Sequence, residues 1–428
     1  MSLRHSGLLP RWSSYAAMWF LLLSVSRVFA GDWPQILGPT RDCRASDETL
    51  LDRWPSDGPS VRWAYALGSG YAGAAVVGKR AVVFHRVGSH ERVEAIDVER
   101  GESLWTADFV ANYSGGYNPD KGPRCVPTIH ANRIYVFGAS GELHSVDLDS
   151  GTKRWSVNVY EELGGDEGYF GAGSSPIVAG DKLLVNVGGR KGAGLVAFSL
   201  ETGRVVWKTT DERASYSSPT SAVIGGEPHV IFITRYNVVS VNPVNGHERF
   251  RFPFGKRGPT VNAATPIVFD DHLFVSASYG VGAILAAIDS DGSSRTVWSN
   301  DDSLSSQYST AAYREGYLYG THGREDIGVA DLRCLEARSG KVKWTKSGFG
   351  VAHPILVGDR ILLQTAEGEV VLARATAEAY QELARAKVVS GSTRALPALS
   401  GGLLFIRSSQ GSSGELKCLI VGKGAAGR

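Results

Sequence analysis

The chain has 428 residues and balances 45 Lys and Arg against 43 Asp and Glu, so its formal net charge is +2. No run of five or six like charges occurs, and the charge pattern therefore gives no support for nucleic-acid binding. Hydrophobic residues make up 43% of the chain, which is typical of a globular protein with a sizeable core.

The first 30 residues have the pattern of a cleavable signal peptide. Basic residues precede an apolar run at 16–23, and small residues stand at −3 and −1 of a cleavage site after Ala30. The alternative, an uncleaved anchor, is disfavoured because the run is shorter than the roughly 20 apolar residues of a membrane span. No Cys follows the cleavage site before Cys43, so no lipid anchor is expected. We expect a periplasmic or secreted protein without a membrane span.

Residues 61–421 are built from a repeated unit, preceded by an N-terminal extension (31–60) and followed by a flexible tail (422–428). In each copy an apolar strand ends in a small or acidic residue, a Thr/Ser-Gly turn follows, and an alternating strand closes with an aromatic residue. Gly supplies the positive φ of a tight hairpin turn, and the aromatic ring packs on the next sheet. Six copies lie at 95–105, 146–155, 198–207, 241–250, 288–298 and 335–344. The blade Trp residues to which we assign this packing role are Trp63, Trp105, Trp155, Trp207, Trp298 and Trp344.

A second recurring element, a turn between two short strands, gives the number of blades. These turns lie at Gly78, Asn132, Gly180, Gly225, Asp271, Gly316, Gly358 and Gly401. Eight turns at the period of a four-strand blade predict an all-β fold, an eight-bladed β-propeller of four-stranded antiparallel blades. The last unit lacks an outer strand, and the strand that begins at Val61 has no partner. We expect the two to pair, which closes the ring and removes a free sheet edge.

The seventh unit departs from the pattern because it has no terminal Trp. Its residues Ala377, Tyr380, Leu383 and Ala384 have helical spacing, which predicts one local helical turn.

The four cysteines permit disulfides in an oxidising compartment without specifying them. Cys334 and Cys418 occupy the same phase of two non-adjacent repeats, so we interpret them as small buried strand residues. A disulfide between Cys43 and Cys125 remains possible on the sequence alone.

No set of residues has a convincing metal-ligand spacing. His85, His90 and Glu91 lie on one predicted hairpin, which we interpret as a solvated rim, and the pairs 270–271 and 301–302 as Asp residues of turns. The sequence has no Gly-x-Ser-x-Gly elbow, phosphate-binding Gly-rich loop or His-Glu-x-x-His motif, so hydrolase and nucleotide-dependent activities lack support.

The repeat, with its Asp, Thr/Ser-Gly and terminal Trp, resembles the pyrroloquinoline quinone (PQQ) repeat. The resemblance implies the quinoprotein alcohol dehydrogenase-like propeller, and the segment 32–41 is similar to the opening of secreted bacterial PQQ-like propellers. PQQ-dependent dehydrogenases of this type hold PQQ with Ca²⁺ on the propeller axis, usually under a disulfide of neighbouring Cys. The propeller lipoprotein of outer-membrane protein assembly shares the fold. This chain has no adjacent Cys pair and no Cys-x-x-Cys-His haem motif.

Candidate binding residues lie in the segments that connect one blade to the next, which meet on one face of a propeller near its axis. They are Tyr117, Arg124, Tyr169, Tyr216, Arg235, Tyr279, Tyr308, His322 and Arg324. A ring of Tyr, Arg and His suits a planar or peptide ligand. The alternative is structural, because Tyr also packs between blades with its hydroxyl in solvent.

Two functional hypotheses follow. The first is an exported, non-catalytic and monomeric scaffold that binds a protein or peptide partner in the cell envelope, with no cofactor. The second is a PQQ-dependent oxidoreductase of the alcohol or sugar dehydrogenase type, with PQQ and Ca²⁺ as cofactors. No catalytic residue can be assigned for either.

Overall fold

The computed structural model of the protein describes residues 31–289 and 292–423, so the predicted signal peptide and residues 424–428 of the tail lie outside it. Within these ranges the chain forms 32 β-strands and one short α-helix. The strands make eight four-stranded antiparallel sheets. The prediction of an all-β, eight-bladed propeller is confirmed.

The first strand is β1 (Val61–Gly68). Blades 1 to 3 contain β2 (Ala75–Val77), β3 (Arg80–Val87), β4 (His90–Asp97) and β5 (Ser103–Val110); β6 (Thr128–His130), β7 (Arg133–Phe137), β8 (Glu142–Asp147) and β9 (Lys153–Asn158); and β10 (Ile177–Ala179), β11 (Lys182–Asn186), β12 (Leu195–Ser199) and β13 (Val205–Thr209). The helix α1 (Val159–Leu163) follows β9.

Blades 4 to 6 contain β14 (Thr220–Ile224), β15 (Glu227–Ile233), β16 (Asn237–Val241) and β17 (Glu248–Pro253); β18 (Ile267–Phe269), β19 (His272–Ala277), β20 (Gly282–Ile288) and β21 (Ser294–Asn300); and β22 (Ala312–Arg314), β23 (Tyr317–Arg324), β24 (Val329–Glu336) and β25 (Val342–Lys346). Blade 7 contains β26 (Ala352–Val357), β27 (Arg360–Thr365), β28 (Glu369–Arg374) and β29 (Glu382–Lys387). Blade 8 combines β30 (Ala398–Ser400), β31 (Leu403–Gln410) and β32 (Ser413–Ile420) with β1.

Because strand direction alternates within each blade, the connections fall on two faces. The turns between the first and second strands and the hairpins between the third and fourth strands share one face, which we call the lower face. The blade-to-blade connections and the hairpins between the second and third strands share the other, which we call the upper face. All eight predicted turns lie between the first two strands of a blade, on the lower face.

The N-terminal strand closes the ring as predicted. β1 pairs with β32, and Trp63 lies opposite Cys418. A buried polar network ties β1 to blade 1: the Glu94 carboxylate accepts from the Tyr65 hydroxyl at 2.8 Å and from His85 Nε2 at 3.0 Å. The Gly68 N–H donates to His85 Nδ1 at 2.9 Å, so Nε2 carries the ring proton.

The interpretation of His85 and Glu91 as part of a solvated rim is wrong. Each side chain is only 2% exposed. Both lie on paired strands that face a neighbouring blade, where His85 contacts β1 and the Glu91 carboxylate accepts from the Ala139 N–H at 3.1 Å. The burial reflects packing between sheets, which a hairpin read in isolation does not reveal.

The six blade Trp residues join neighbouring blades. Each donates its indole N–H to a backbone carbonyl of the next blade, at 2.8 to 3.1 Å. Five of the rings lie against the Gly of the next hairpin, where a Cβ atom would come within 2.9 Å of the indole. The Gly of the repeat therefore serves both the positive φ of the turn and this close approach.

The helical turn predicted in blade 7 is wrong, because these residues form a bend and then the outer strand β29. Ala384 lies opposite Leu372, at the place that Trp takes in other blades. Blade 7 has no Trp at this place because the next blade offers no site for one. The third and fourth strands of blade 8, β32 and β1, are not joined by a hairpin, so there is no turn Gly against which an indole could pack. The bend instead receives the indole N–H of Trp344 on the Thr376 carbonyl, at 2.8 Å.

Residues 31–50 cross the lower end of the central channel. Trp33 exchanges two backbone hydrogen bonds with Val76 on the inner strand of blade 1, each 2.8 Å long. Further along the plug, the Cys43 carbonyl accepts from the Leu356 N–H of blade 7 at 2.7 Å. We call residues 31–50 the N-terminal plug.

Arg41 anchors the plug inside the channel. Its side chain is fully enclosed, and its guanidinium donates to the Pro219 carbonyl at 2.9 Å and to the Pro176 carbonyl. Gln35, within the plug, accepts from Arg41 Nε at 2.7 Å. Burial without a carboxylate partner lowers the pKa of Arg41 to about 9. One side chain thus joins the plug to blades 3 and 4.

The plug has an unusual backbone. Leu37, Arg41 and Cys43 have φ values of 61°, 57° and 62°, in the left-handed region that costs a non-glycine residue about 1–2 kcal/mol. Contacts with the inner strands hold this conformation. The first two residues of the expected tail are also fixed, since Gly422 pairs with Leu50 and the Lys423 N–H donates to the Thr49 carbonyl.

All four cysteines are buried and unbonded. Cys43 packs with blades 6 and 7, whereas Cys125 packs between blades 2 and 3. The disulfide between them that the sequence allowed is therefore not formed. No helix in the described ranges is long and apolar enough to cross a membrane.

Candidate functional site

In all eight blades one residue occupies an equivalent position in the upper-face connection that leads to the inner strand. We call this set the mouth ring. It consists of Tyr71, Arg124, Gly173, Tyr216, Ala263, Tyr308, Val351 and Arg394. Each precedes the end of its inner strand by six residues, except in blade 4, where the first two strands are longer.

Three consecutive ring members form a cationic arc. Arg394, Tyr71 and Arg124 come from blades 8, 1 and 2, and the Tyr71 ring lies 5.8 Å from the Arg394 guanidinium and 5.9 Å from that of Arg124. The arc is electrostatically asymmetric. Arg394 forms an ion pair with Glu325 at 2.8 Å, whereas Arg124 pairs with no carboxylate in the described part of the chain.

Arg124 is held by the loop that carries it. Its guanidinium donates to the Gly122 carbonyl at 2.6 Å and to the Asp120 carbonyl at 3.1 Å. It also lies 5.4 Å from the centre of the Tyr113 ring. Because Arg has five N–H donors, part of its hydrogen-bonding capacity stays free for a ligand.

Tyr113 completes this part of the mouth. Its side chain is 2% exposed, and its hydroxyl has no hydrogen-bond partner among residues 31–289 and 292–423. A buried hydroxyl without a partner is energetically costly, and in native proteins such groups call for an explanation, such as a role in binding.

An aromatic row runs beside Arg124. It consists of Tyr117, Tyr169, Phe170 and Tyr216, with neighbouring ring centres 5.3 to 6.3 Å apart. The Tyr216 hydroxyl accepts from the backbone N–H of Tyr169 at 2.7 Å, and burial raises the pKa of Tyr216 to about 12. Tyr117, at the end of the row, is 77% exposed.

A cleft of about 520 Å³ opens beside the row, in the upper-face connections around blades 3 and 4. Tyr169, Tyr216, Arg235 and Tyr236 line it, together with the acidic residue Asp166. The Arg235 guanidinium donates to the Gly258 carbonyl at 2.8 Å, which fixes the roof of the cleft. The cleft is thus largely preformed by backbone contacts.

A polar network occupies the mouth at blades 5 and 6. The Tyr308 hydroxyl donates to Glu325 at 2.7 Å. The Arg324 guanidinium lies 4.2 Å from the centre of the Tyr279 ring and pairs with Asp326. The Arg324 guanidinium is thus paired with a carboxylate, in contrast to that of Arg124.

The structure brings most of the predicted site residues together in three groups. Tyr117, Tyr169, Tyr216 and Arg235 line the aromatic row and cleft; Tyr279, Tyr308 and Arg324 lie in the polar network; Arg124 lies in the arc. His322 is separate, because its Nδ1 accepts from the Ser305 N–H at 3.1 Å and its charged neighbours lie on β24 and in the connection from blade 5 to blade 6.

Sequence reasoning missed Tyr71 and Arg394. Their position within the repeat could have revealed them. Arg124, Tyr216 and Arg394 each stand three residues before the Pro that precedes an inner strand. Aligning the eight units on their inner strands would have found the mouth ring.

No group of three His, Cys, Asp or Glu residues that could hold a metal ion occurs in residues 31–289 and 292–423. The four cysteines are buried and free, and no two of them are adjacent in the sequence.

Comparisons with known proteins agree with the repeat. A family model described as "Outer membrane protein assembly factor BamB" matches residues 89–346. The outer membrane protein assembly factor BamB of Shewanella oneidensis is 22% identical over 311 residues, which are 68% of this chain and 71% of that protein.

Solved structures share the fold at low identity. BamB from Moraxella catarrhalis is similar with a TM-score of 0.62 and 17% identity, over 84% of this chain and 97% of that one. The quinohemoprotein alcohol dehydrogenase of Comamonas testosteroni is similar with a TM-score of 0.66 and 14% identity, over 92% and 81%. The family model spans more than half of the chain, and the protein therefore belongs to the PQQ-like β-propeller family described as outer membrane protein assembly factor BamB.

Proposed function

We propose that the protein is an exported, non-catalytic propeller scaffold that binds a protein or peptide partner of the cell envelope through its upper face. The observation that carries the proposal is the exposed end of the aromatic row at Tyr117, which adjoins a preformed cleft. Tyr and Arg are the residues that most often dominate protein–protein binding energy.

Family membership supports this proposal. The relatives in Shewanella oneidensis and Moraxella catarrhalis are named for outer membrane protein assembly, which is a role in the envelope. Export of this chain depends on the predicted signal peptide. Mass spectrometry of the protein purified from its native envelope fraction should give a mature N-terminus at Gly31; an intact N-terminus would contradict export by cleavage.

Site-specific photo-crosslinking in the native organism tests binding. A photoreactive amino acid at Tyr117 on the upper face is compared with one at Val244, which is 63% exposed on a lower-face hairpin. We expect a discrete crosslinked envelope protein from position 117 and none from position 244. Crosslinks of equal yield from both positions, or from 244 alone, would contradict the proposal.

The quinone alternative has its own test, motivated by the likeness to dehydrogenase folds. Purified protein is titrated with PQQ and Ca²⁺ while the absorbance of the quinone is followed, and dye reduction is measured with alcohols and sugars. Saturable binding at micromolar PQQ together with dye reduction would favour an oxidoreductase over a scaffold. We expect neither.

A further inference from the structure

We propose that Arg124 and Tyr113 form a carboxylate-binding site at the mouth of the channel, which receives an acidic residue from a peptide segment of the partner. This inference rests on the proposed function, since it specifies the chemistry of a partner that the upper face binds.

Charge complementarity is the first argument. Arg124 pairs with no carboxylate in the described ranges, whereas Arg394 in the same arc and Arg324 in the polar network each pair with one. Arg235 in the cleft likewise has no carboxylate partner there, but both ends of its guanidinium are occupied by Thr260 and Gly258. A second arginine, Arg407, is fully buried close behind the arc with only backbone carbonyl partners, among them Ala72 O at 2.8 Å. These two guanidinium groups favour an anion at the arc.

The nearby carboxylate of Asp120 does not cancel this charge by direct contact. Its two oxygens accept from backbone N–H groups, Oδ1 from Gly122 at 2.8 Å and Oδ2 from Gly70 at 3.0 Å. Asp120 therefore shapes the loop that carries Arg124, and the free N–H groups of Arg124 stay available to a carboxylate from outside.

The unpartnered hydroxyl of Tyr113 is the second, independent argument. It is enclosed by protein and makes no hydrogen bond in the described ranges, although its ring lies against Arg124. An incoming carboxylate on Arg124 would supply the missing acceptor. Hydrogen bonds in which one partner is ionised are the strong ones, so this group adds affinity as well as geometry.

The surroundings favour a peptide over a free anion. The loop of Arg124 touches the aromatic row, because the Tyr117 N–H donates to the Tyr169 carbonyl at 3.3 Å. A segment with Asp or Glu on Arg124 can thus place its neighbouring side chain on exposed Tyr117. The site then selects peptides in which an acidic residue stands next to an aromatic or apolar one.

A paired peptide library tests the inference. Purified protein is incubated with two pools of randomised nonapeptides, one with Glu and one with Gln at the central position, and the retained peptides are quantified. We expect about tenfold enrichment of the Glu pool, lost in Arg124→Gln and weakened in 0.5 M NaCl, where surface charges are screened. Equal retention of both pools, or unchanged enrichment in Arg124→Gln, would overturn the site.

Matched variants separate binding from folding and from total charge. Arg257→Gln removes an exposed cation from another upper-face connection and should keep the enrichment. Tyr113→Phe keeps the ring and deletes a hydroxyl without a partner, so its thermal stability should be unchanged or higher while enrichment falls about threefold to tenfold. Loss of stability without loss of enrichment would contradict the assigned role of the hydroxyl.

The outcomes distinguish this inference from the proposed function. If both pools bind equally well, peptide binding stands and the carboxylate site fails. If neither pool binds while photo-crosslinking at Tyr117 still captures a partner, the scaffold stands and the peptide carboxylate site fails. If PQQ or succinate displaces the Glu pool and itself binds at micromolar concentration, the site belongs to a small carboxylate instead.

Discussion

The two ends of the central channel differ in what their polar groups contact. At the lower end, the plug places Arg41 in the channel, where it bonds to carbonyls of two blades. At the upper end, Arg124 and Tyr113 retain hydrogen-bonding capacity that the described chain does not use. A buried cation with its partners supplied stabilises a fold, whereas one without them is available to a ligand.

Equivalent chemistry can therefore serve architecture at one end of a propeller and binding at the other. Changes at the lower end should therefore reduce stability, and changes at the upper end should reduce binding.

The largest loss is expected from Trp63→Ala at the lower-face closure. Trp63 lies on β1, which no hairpin joins to its blade, and its indole N–H donates to the Val98 carbonyl at 2.8 Å. Loss of a buried Trp costs about 3–5 kcal/mol of the free energy of unfolding. Urea unfolding measures this cost, and limited proteolysis should newly cut between residues 51 and 61. Trp344→Ala, in a blade with continuous connections, is the control and should not expose that segment.

Arg41→Ala should lower the free energy of unfolding by about 3 kcal/mol. It leaves the Pro219 carbonyl and Gln35 Oε1 without the Arg41 donor, and each buried unsatisfied group costs about 1–3 kcal/mol. The Pro176 carbonyl keeps its bond from the Thr128 hydroxyl at 2.8 Å. Arg41→Lys keeps the charge but loses the forked geometry, so it should lie between wild type and Ala. A loss below 1 kcal/mol in urea unfolding of Arg41→Ala would contradict the role of the plug.

How far the sequence specified these structures differs between regions. The blade count and ring closure were predictable because each turn Gly and each Trp is a local hairpin signal that recurs. The conformation of the plug was not predictable, because residues 31–50 have no hydrophobic periodicity. Three of its non-glycine residues adopt positive φ, which contacts with distant strands hold in place. In blade 7 the helical spacing was misleading, because pairing with β28 overrides local propensity.

The site was predictable to the level of loops. Tyr169 and Tyr216 meet because adjacent blade connections meet, as the topology requires. That Arg124 lacks a carboxylate while Arg324 and Arg394 have one depends on side-chain placement, which spacing does not encode. The role of Tyr113 follows from a missing hydrogen-bond partner and is visible only in three dimensions.

Glu91→Gln should change the pH dependence of stability. Burial beside Glu142 raises the pKa of Glu91 from 4.5 to about 7, although the Ala139 N–H, Arg86 and Arg124 oppose the shift. The pKa of Glu91 is higher in the folded than in the unfolded protein. The contribution of protonated Glu91 to the free energy of unfolding is therefore fully present below pH 4.5 and is lost as the pH rises through 7.

The shift corresponds to a free-energy change on the order of 3 kcal/mol between these pH values. Thermal melts from pH 4 to 8 should show a smaller decline with pH in Glu91→Gln than in wild type. Exposed Glu378→Gln is the matched control and should leave the profile unchanged. A decline of the same size in Glu91→Gln would contradict the assignment.

The smallest effect on stability is expected from Tyr117→Ala. Its ring is largely in solvent, so the free energy of unfolding should change by less than about 0.5 kcal/mol. Retention of the peptide pools should nevertheless fall, because an exposed anchor is lost. A large loss of stability would show that the upper face is as structural as the lower.

Hydrogen–deuterium exchange tests the contrast between the two ends most directly, on the intact mature protein with and without a peptide selected from the Glu pool. The account predicts slow exchange for the hydrogen-bonded amides of residues 33–45 in both samples. It predicts fast exchange for residues 114–119 that slows when the peptide is added. Fast exchange across 33–45, or protection by the peptide at the lower end instead of at 114–119, would contradict it.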